Sequence, residues 1–434
     1  MTFDLPFILF LFCFRYSLFF QIPFQLKNQI YQYPLNIEIY RRNLNEIEKP
    51  SPKLAVPVVT VNIGTPPREF NLIYSTGTFP TWILTPSSSN AIQNAYYRNE
   101  STTYEVFSIK DNSYEMNSFT YSSLASGMNE VIGFNNGENK ITLSMFLLIH
   151  LTPNTFNADG ELGMGKTYSS LPTDPFISFG ADLFSWVDQL KKNNIISSSI
   201  FAHYYTNPNK SGIVYIGETP TGNFNYYKCI SPTQRALFSY YWSCEISEIK
   251  INNIPFNIDS SSNVAVFSTG ERFIFIPENN ADIIQNIINY SDWAKNNCKL
   301  DEHVAYKELH CNYENFKYSY FPIITITLGD YIIKLKPEDV FYYNYNSKYY
   351  RLLMVIYNKK DYWILGTPAL KGKNMIFNKE ENTVIFFEEN KLSKSGIIIG
   401  ISIIGLVWLL IGLWCYRRKR KIQREQINKN FYKF

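Results

Sequence analysis

Histidine is scarce in this chain and widely scattered: the only four are His150, His203, His303 and His310. Separations of that size give no zinc-ligand spacing, so no metal site and no cofactor is expected. These side chains are expected at the surface or hydrogen-bonded inside the structure. Excess positive charge is missing from the body of the protein. Residues 417–434 hold eight Lys/Arg against one Glu, a tail of +7 within a total of +4, which leaves −3 for the rest. Nucleic-acid binding is thereby excluded as an expectation. Helical periodicity is rare, with only 183–192 and 281–289 placing apolar residues three and four apart. Cysteine is sparse too, at six. Cys13 and Cys415 lie in terminal apolar segments, and Cys229, Cys244, Cys298 and Cys311 remain. Four cysteines allow three pairings. Cys229–Cys244 and Cys298–Cys311 are favoured because each closes a short local loop.

Long apolar runs occur only at the two ends. Leu5 to Phe14, resumed at Leu18–Phe20, is too short to span a bilayer and reads as a signal peptide over residues 1–20. Residues 397–416 carry no charge and run into Arg417-Arg418-Lys419-Arg420-Lys421. Twenty residues at about 1.5 Å each match a hydrocarbon core of about 30 Å, so a transmembrane helix is expected. The basic tail, 417–434, is then cytosolic. A single-pass type I protein of the secretory pathway follows, resident in the plasma or endolysosomal membrane. Asn99, Asn209 and Asn289 open Asn-x-Ser sequons and are glycosylation candidates in that location.

What is present between the ends is abundant apolar and aromatic residue, 45% and 17% of the chain, with turn residues scattered singly. Short β-like runs recur, among them 58–63, 212–216 and 321–328. An all-β dominated fold is expected. The chain also repeats itself. Each half carries an apolar strand leading to Ser-Thr-Gly: Leu72-Ile73-Tyr74-Ser75-Thr76-Gly77-Thr78 in the first and Val264-Ala265-Val266-Phe267-Ser268-Thr269-Gly270-Glu271 in the second. An apolar-Gly element follows each, Glu161-Leu162-Gly163 and Ile364-Leu365-Gly366.

These features resemble the pepsin-like aspartic proteases (peptidase A1), whose loops read Asp-Thr-Gly after an apolar strand. Gly64-Thr65-Pro66-Pro67, Trp82, Asp159-Gly160-Glu161-Leu162-Gly163-Met164-Gly165, Tyr241-Trp242 and Met375-Ile376-Phe377-Asn378 resemble the family's other signatures, in order, over roughly 330 residues. The resemblance implies a bilobal fold with a deep interlobe cleft. Its N-terminal lobe is expected at 54–220, its C-terminal lobe at 221–390, and a pro-segment-like stretch or linker at 21–53. It also implies that Thr76 and Thr269 hydrogen-bond across to the opposite loop. Tyr121, in Tyr121-Ser122-Ser123-Leu124-Ala125-Ser126-Gly127, stands for the tyrosine of the hairpin that covers the cleft.

The two aspartates are missing. Ser75 and Ser268 hold their positions, so no catalytic residue of the family is intact. Paired carboxylates hydrolyse peptides because they share one proton and titrate within reach of the working pH. A serine hydroxyl does neither, and no histidine lies near either loop in sequence to activate it. Glu271 is the one carboxylate adjoining these loops; a surface-pointing or strand-end position is expected for it. The expected function is that of a catalytically inactive aspartic-protease-like membrane protein. It would bind peptide or protein through its cleft or surface, with Thr76, Gly77, Thr78, Tyr121, Thr269, Gly270 and Glu271 as candidate contacts. The alternatives are an active membrane-bound aspartic-type endopeptidase using non-standard residues and a purely structural cell-surface protein.

Overall fold

A computed structural model describes residues 20–28, 55–78, 80–86, 94–106, 114–117, 122–134, 139–152, 158–166, 185–209, 211–232, 241–303, 306–345, 347–358, 360–390, 408–414, 416–421 and 424. Strands dominate, arranged as one fourteen-stranded and one eleven-stranded sheet. The fold is the bilobal, mostly β one that the sequence implies. The described residues of Met1–Thr221 and Tyr226–Phe387 form one compact unit, which contains both serine loops. Gly222–Asn225 with Glu388–Phe434 form a second, small unit, within which 408–414 and 416–421 are helical. Among the described residues no helix is long and apolar enough to cross a membrane. Most of the apolar segment 397–416, and all of 1–19, lie outside the described residues.

β-Branched residues in alternation explain the opening strand, Ala55–Ile63, in which Val59, Val61 and Ile63 are buried and Thr60 is exposed. Gly64 then turns the chain at φ +90°, where a side chain would be strained. The chain returns as Arg68–Ser75, paired antiparallel with the opening strand from Ile63↔Arg68 to Val58↔Ile73. In the second half Val264–Phe267 plays the part of Arg68–Ser75. It is buried on both faces, which is why it reads as an unbroken apolar run.

Sequence expectation and structure differ over one of the β-like runs. The β-like run 321–328 becomes a strand only over Ile324–Leu328. Phe321 caps a short helical turn, Tyr318–Tyr320, and Pro322 has no N–H to donate to a ladder. Of the stretch 21–53, only 21–28 lie among the described residues. Phe20–Asn28 is a strand seated between Ala55–Ile63 and Ser211–Ile216, antiparallel to both. The helical patterns at 183–192 and 281–289 appear as Trp186–Lys192 and Asp282–Asn289. Ser185 caps the first by accepting a hydrogen bond from the Asp188 amide.

The core joins both halves. Trp82, Trp186, Trp242 and Trp363 are all within 2% of complete burial, and truncating one such side chain costs about 3–5 kcal/mol. Both disulfides form with the favoured pairing, Cys229–Cys244 and Cys298–Cys311. The second pair stands directly opposite in adjacent antiparallel strands, Cys298–Glu302 and Tyr306–Asn312.

Candidate functional site

Each serine loop is fixed by a parallel strand from later in its own half. Arg68–Ser75 runs beside Gly160–Gly163 with Tyr74↔Leu162 and Ser75↔Gly163 in register. Val264–Phe267 runs beside Trp363–Leu365 with Phe267↔Leu365. The apolar-Gly elements thus lie against the serine loops. Backbone hydrogen bonds tie each loop to the segment beside it. The Met164 amide donates to the Ser75 carbonyl at 2.8 Å, and the Ser268 amide donates to the Leu365 carbonyl at 3.0 Å. Three residues on, Gly165 N–H donates to the Thr78 carbonyl and Thr367 N–H to the Glu271 carbonyl, both at 2.6 Å. Thr78 and Glu271 are each the third residue after their serine.

The two loops are locked to one another by four hydrogen bonds. Thr76 N–H donates to Thr269 Oγ1 at 3.1 Å, and Thr269 N–H donates to Thr76 Oγ1 at 3.2 Å. The Thr76 hydroxyl donates to the Phe267 carbonyl at 2.9 Å, and the Thr269 hydroxyl donates to the Tyr74 carbonyl at 2.8 Å. All four lie in the buried interior, where a satisfied polar network holds one geometry. A side chain on Gly270 would place its first carbon 2.9 Å from Ser75 Oγ, so glycine is required for the loops to meet. Thr367 adds a bond from its hydroxyl to the Thr269 carbonyl at 2.8 Å.

Sequence similarity agrees with this geometry. The pattern of the eukaryotic aspartyl proteases matches residues 58–388. The chain belongs to that family. Pepsin A of Rhinolophus ferrumequinum is 26% identical over 252 residues, 54% of this chain and 58% of that protein. Renin of Echis ocellatus is 21% identical over 352 residues, covering 75% and 78%. The probable vacuolar protease A of Arthroderma benhamiae is 22% identical over 295 residues, 64% of each chain. The chain spans about 58% of the length of the pepsins it matches.

Two hydroxyls lie beside the threonine lock. Ser75 and Ser268 are each 1% exposed. Among the described residues no histidine, lysine or carboxylate hydrogen-bonds to either, so neither is set up as a nucleophile. His203 is occupied elsewhere. It lies between the Tyr74 hydroxyl, 3.3 Å from Nδ1, and the Lys373 carbonyl, 3.1 Å from Nε2. Nε2–H donates to the carbonyl and Nδ1 accepts from the tyrosine. Burial pushes this imidazole down to about 3, against the opposing pull of the Lys373 carbonyl. His310 Nδ1 is 2.9 Å from Asp301. Among the described residues no group of three or more His, Cys, Asp or Glu is placed to hold a metal ion.

Glu271 is not at the surface as expected. It is 6% exposed, because Thr367 pins its carbonyl and the loop turns inward. Burial, then the negative charge of Glu161, push its carboxyl up to about 8, with Arg272 pulling the other way. Glu161 was missed as a site residue. It is 4% exposed in Gly160–Gly163, opposite Trp82 across an antiparallel pair. Its carboxylate accepts the Thr78 hydroxyl at 2.5 Å and the Trp82 indole N–H at 3.1 Å. The available sequence signal was a carboxylate inside the apolar-Gly element Gly160-Glu161-Leu162-Gly163.

Of the remaining candidates, Gly77 is buried within the first loop and Tyr121 lies outside the described residues. Asn99, Asn209 and Asn289 are all exposed. A second charged side chain is buried without a local sequence signal. Lys166 is 5% exposed, stacks its amine 4.7 Å from the Trp242 ring and donates to Asn382 Oδ1 at 2.5 Å. Burial, then the charge of Lys379, push it down to about 7.

Proposed function

We propose that this chain is a membrane-tethered pepsin-fold protein that binds a peptide or protein ligand without cleaving it by the family's paired-aspartate route. The observation that carries the reading is the intact threonine lock around two serines. The scaffold that positions a catalytic pair is kept while both acids are absent. General acid–base assistance is typically about 10²–10⁴-fold per group, and neither serine can supply it. A fold without two adjacent carboxylates is also spared the repulsion of a partly buried like-charge pair.

In this reading residues 54–220 and 221–390 form the lobes flanking a ligand cleft, and 1–20 direct the chain into the secretory pathway. Residues 397–416 span the membrane and 417–434 face the cytosol. Two disulfides and three exposed sequons suit a folded part outside the cytosol, at the plasma or endolysosomal membrane. Full-length protein incubated with a broad peptide library from pH 3 to 7 should retain peptides and release no fragments. Turnover that disappears in Ser75→Ala or Ser268→Ala would overturn the inactive reading. The double variant Ser75→Asp/Ser268→Asp should gain pepstatin-sensitive hydrolysis, since the lock already holds both positions.

One observation favours a second reading, hydrolysis through non-standard acids. Glu271 has a carboxylate neighbour, Glu161, close enough to act on it electrostatically. Fragment release abolished by Glu271→Gln and untouched by the serine variants would select that reading.

A further inference from the structure

We propose that the basic segment following residues 397–416 is a docking surface for anionic phospholipid headgroups, with the guanidiniums of Arg418 and Arg420 as its phosphate-binding groups. The inference rests on the membrane-spanning reading of 397–416 and names the partner of the tail beyond it.

Arg417-Arg418-Lys419-Arg420-Lys421 directly adjoins the uncharged stretch, Arg424 follows, and no acidic residue occurs between 397 and 424. Residues 408–414 and 416–421 are helical, and Trp408, Trp414, Tyr416 and all six of these cations are exposed. Two of the cations are stacked on aromatic rings. The Arg418 guanidinium lies over the Trp414 ring, 5.3 Å from its centroid, and that of Arg420 lies over the Tyr416 ring at 5.5 Å. Each ring stands four residues before its arginine, so each guanidinium is drawn back along the helix toward the apolar stretch. Tryptophan and tyrosine at the end of a membrane span sit at headgroup level. The stacking therefore holds both guanidiniums at the depth of the lipid phosphates. It occupies the face of each guanidinium and leaves its N–H edge for an acceptor. Among the described residues no carboxylate pairs with any of these cations.

An anionic phospholipid supplies what is missing. Its phosphate oxygens accept two parallel N–H donors from one guanidinium, and its net charge is opposite to that of the segment. A zwitterionic headgroup brings the phosphate together with a cation of its own, so the net attraction is lost. Residues 417–421 cover about 7.5 Å along a helix, within the Debye length of about 8 Å at physiological ionic strength. All five charges thus act on one headgroup layer. The depth of the stacked arginines favours lipid over an acidic protein surface, which approaches from the water. The cytosolic leaflet, which the tail faces in this reading, is the one that carries anionic lipid.

The test uses the full-length chain in phosphatidylcholine vesicles with a trace of spin-labelled phosphatidylserine or spin-labelled phosphatidylcholine. Electron paramagnetic resonance gives the fraction of each label that is motionally restricted by the protein. Phosphatidylserine should associate at least about fivefold more strongly than phosphatidylcholine at low salt. The ratio should fall toward one at about 1 M NaCl, where the Debye length is about 3 Å. Arg418→Gln/Arg420→Gln should bring it most of the way to one. Arg418→Lys/Arg420→Lys keeps the charge, and Trp414→Leu/Tyr416→Leu removes only the rings. Each should lower the ratio, which a count of charges does not predict. Resistance to alkaline carbonate extraction checks that every variant is inserted. Inserted wild-type protein with a ratio near one, or a ratio unmoved by the lysine and leucine variants, overturns this inference alone. Wild-type protein extracted by carbonate overturns the membrane-spanning reading as well.

Discussion

Glu271→Gln tests whether the buried carboxyl is a real electrostatic burden on the fold. Its folded-state value near 8 compares with an ordinary 4.5. At about 1.4 kcal/mol per pH unit the ceiling is about 5 kcal/mol. Between pH 4.5 and 8 the folded state keeps a proton that the unfolded state has lost. Stability contributed by this group is therefore full below 4.5 and lost as pH rises toward 8. Two other buried groups tilt the same profile. His203, held near 3, makes the fold more stable as pH rises from about 3 to 6.5. Lys166, held near 7, does so from about 7 to 10.5. Both are present in wild type and variant, so the difference between the two proteins isolates Glu271. Urea unfolding of the full-length proteins, disulfides intact and in one detergent, would be measured at whole pH units from 5 to 9. The advantage of Glu271→Gln should grow by up to about 1.4 kcal/mol per unit and level off above pH 8. A pH-independent difference would refute the reasoning. In a Glu161→Gln background, where the second-largest cause is removed, the growth should end at lower pH.

Thr76→Val strips partners from the buried Phe267 carbonyl and Thr269 amide, a loss of about 2–5 kcal/mol. A cycle with Thr269→Val should show strong coupling in urea unfolding, because both residues serve one network. Lys166→Met should stabilise the fold most below pH 7, with the gain shrinking as pH rises toward 10.5 and the lysine penalty fades. A gain independent of pH would mean that packing, not charge, decides it. Cys298→Ser/Cys311→Ser opens a loop of sequence separation 13 and should cost about 3 kcal/mol of unfolding free energy.

Much of the fold is legible in the chain because its signals are local. Alternating β-branched residues mark Ala55–Ile63, and unbroken apolar residues mark the doubly buried Val264–Phe267. Short loops favour, without deciding, the disulfide pairing that forms, and Cys298 and Cys311 fall opposite each other in a hairpin. Pro322 shows how one residue overrides a run that otherwise reads as strand.

The sequence by itself determined the repeated halves and the family, and it placed a Ser-Thr-Gly after an apolar strand in each half, at Ser75 and Ser268. Only the tertiary structure decided which carboxylates lie buried beside the serine loops. Glu161 and Glu271 are far apart in the chain, and nothing in their local patterns pairs them. Parallel pairing places Glu161 beside the first loop, and the Thr76–Thr269 lock brings the second loop to it. Burial then makes their mutual repulsion count, because low-dielectric surroundings strengthen what water would screen. Sequence spacing carries no record of that proximity, which exists only once both halves have closed.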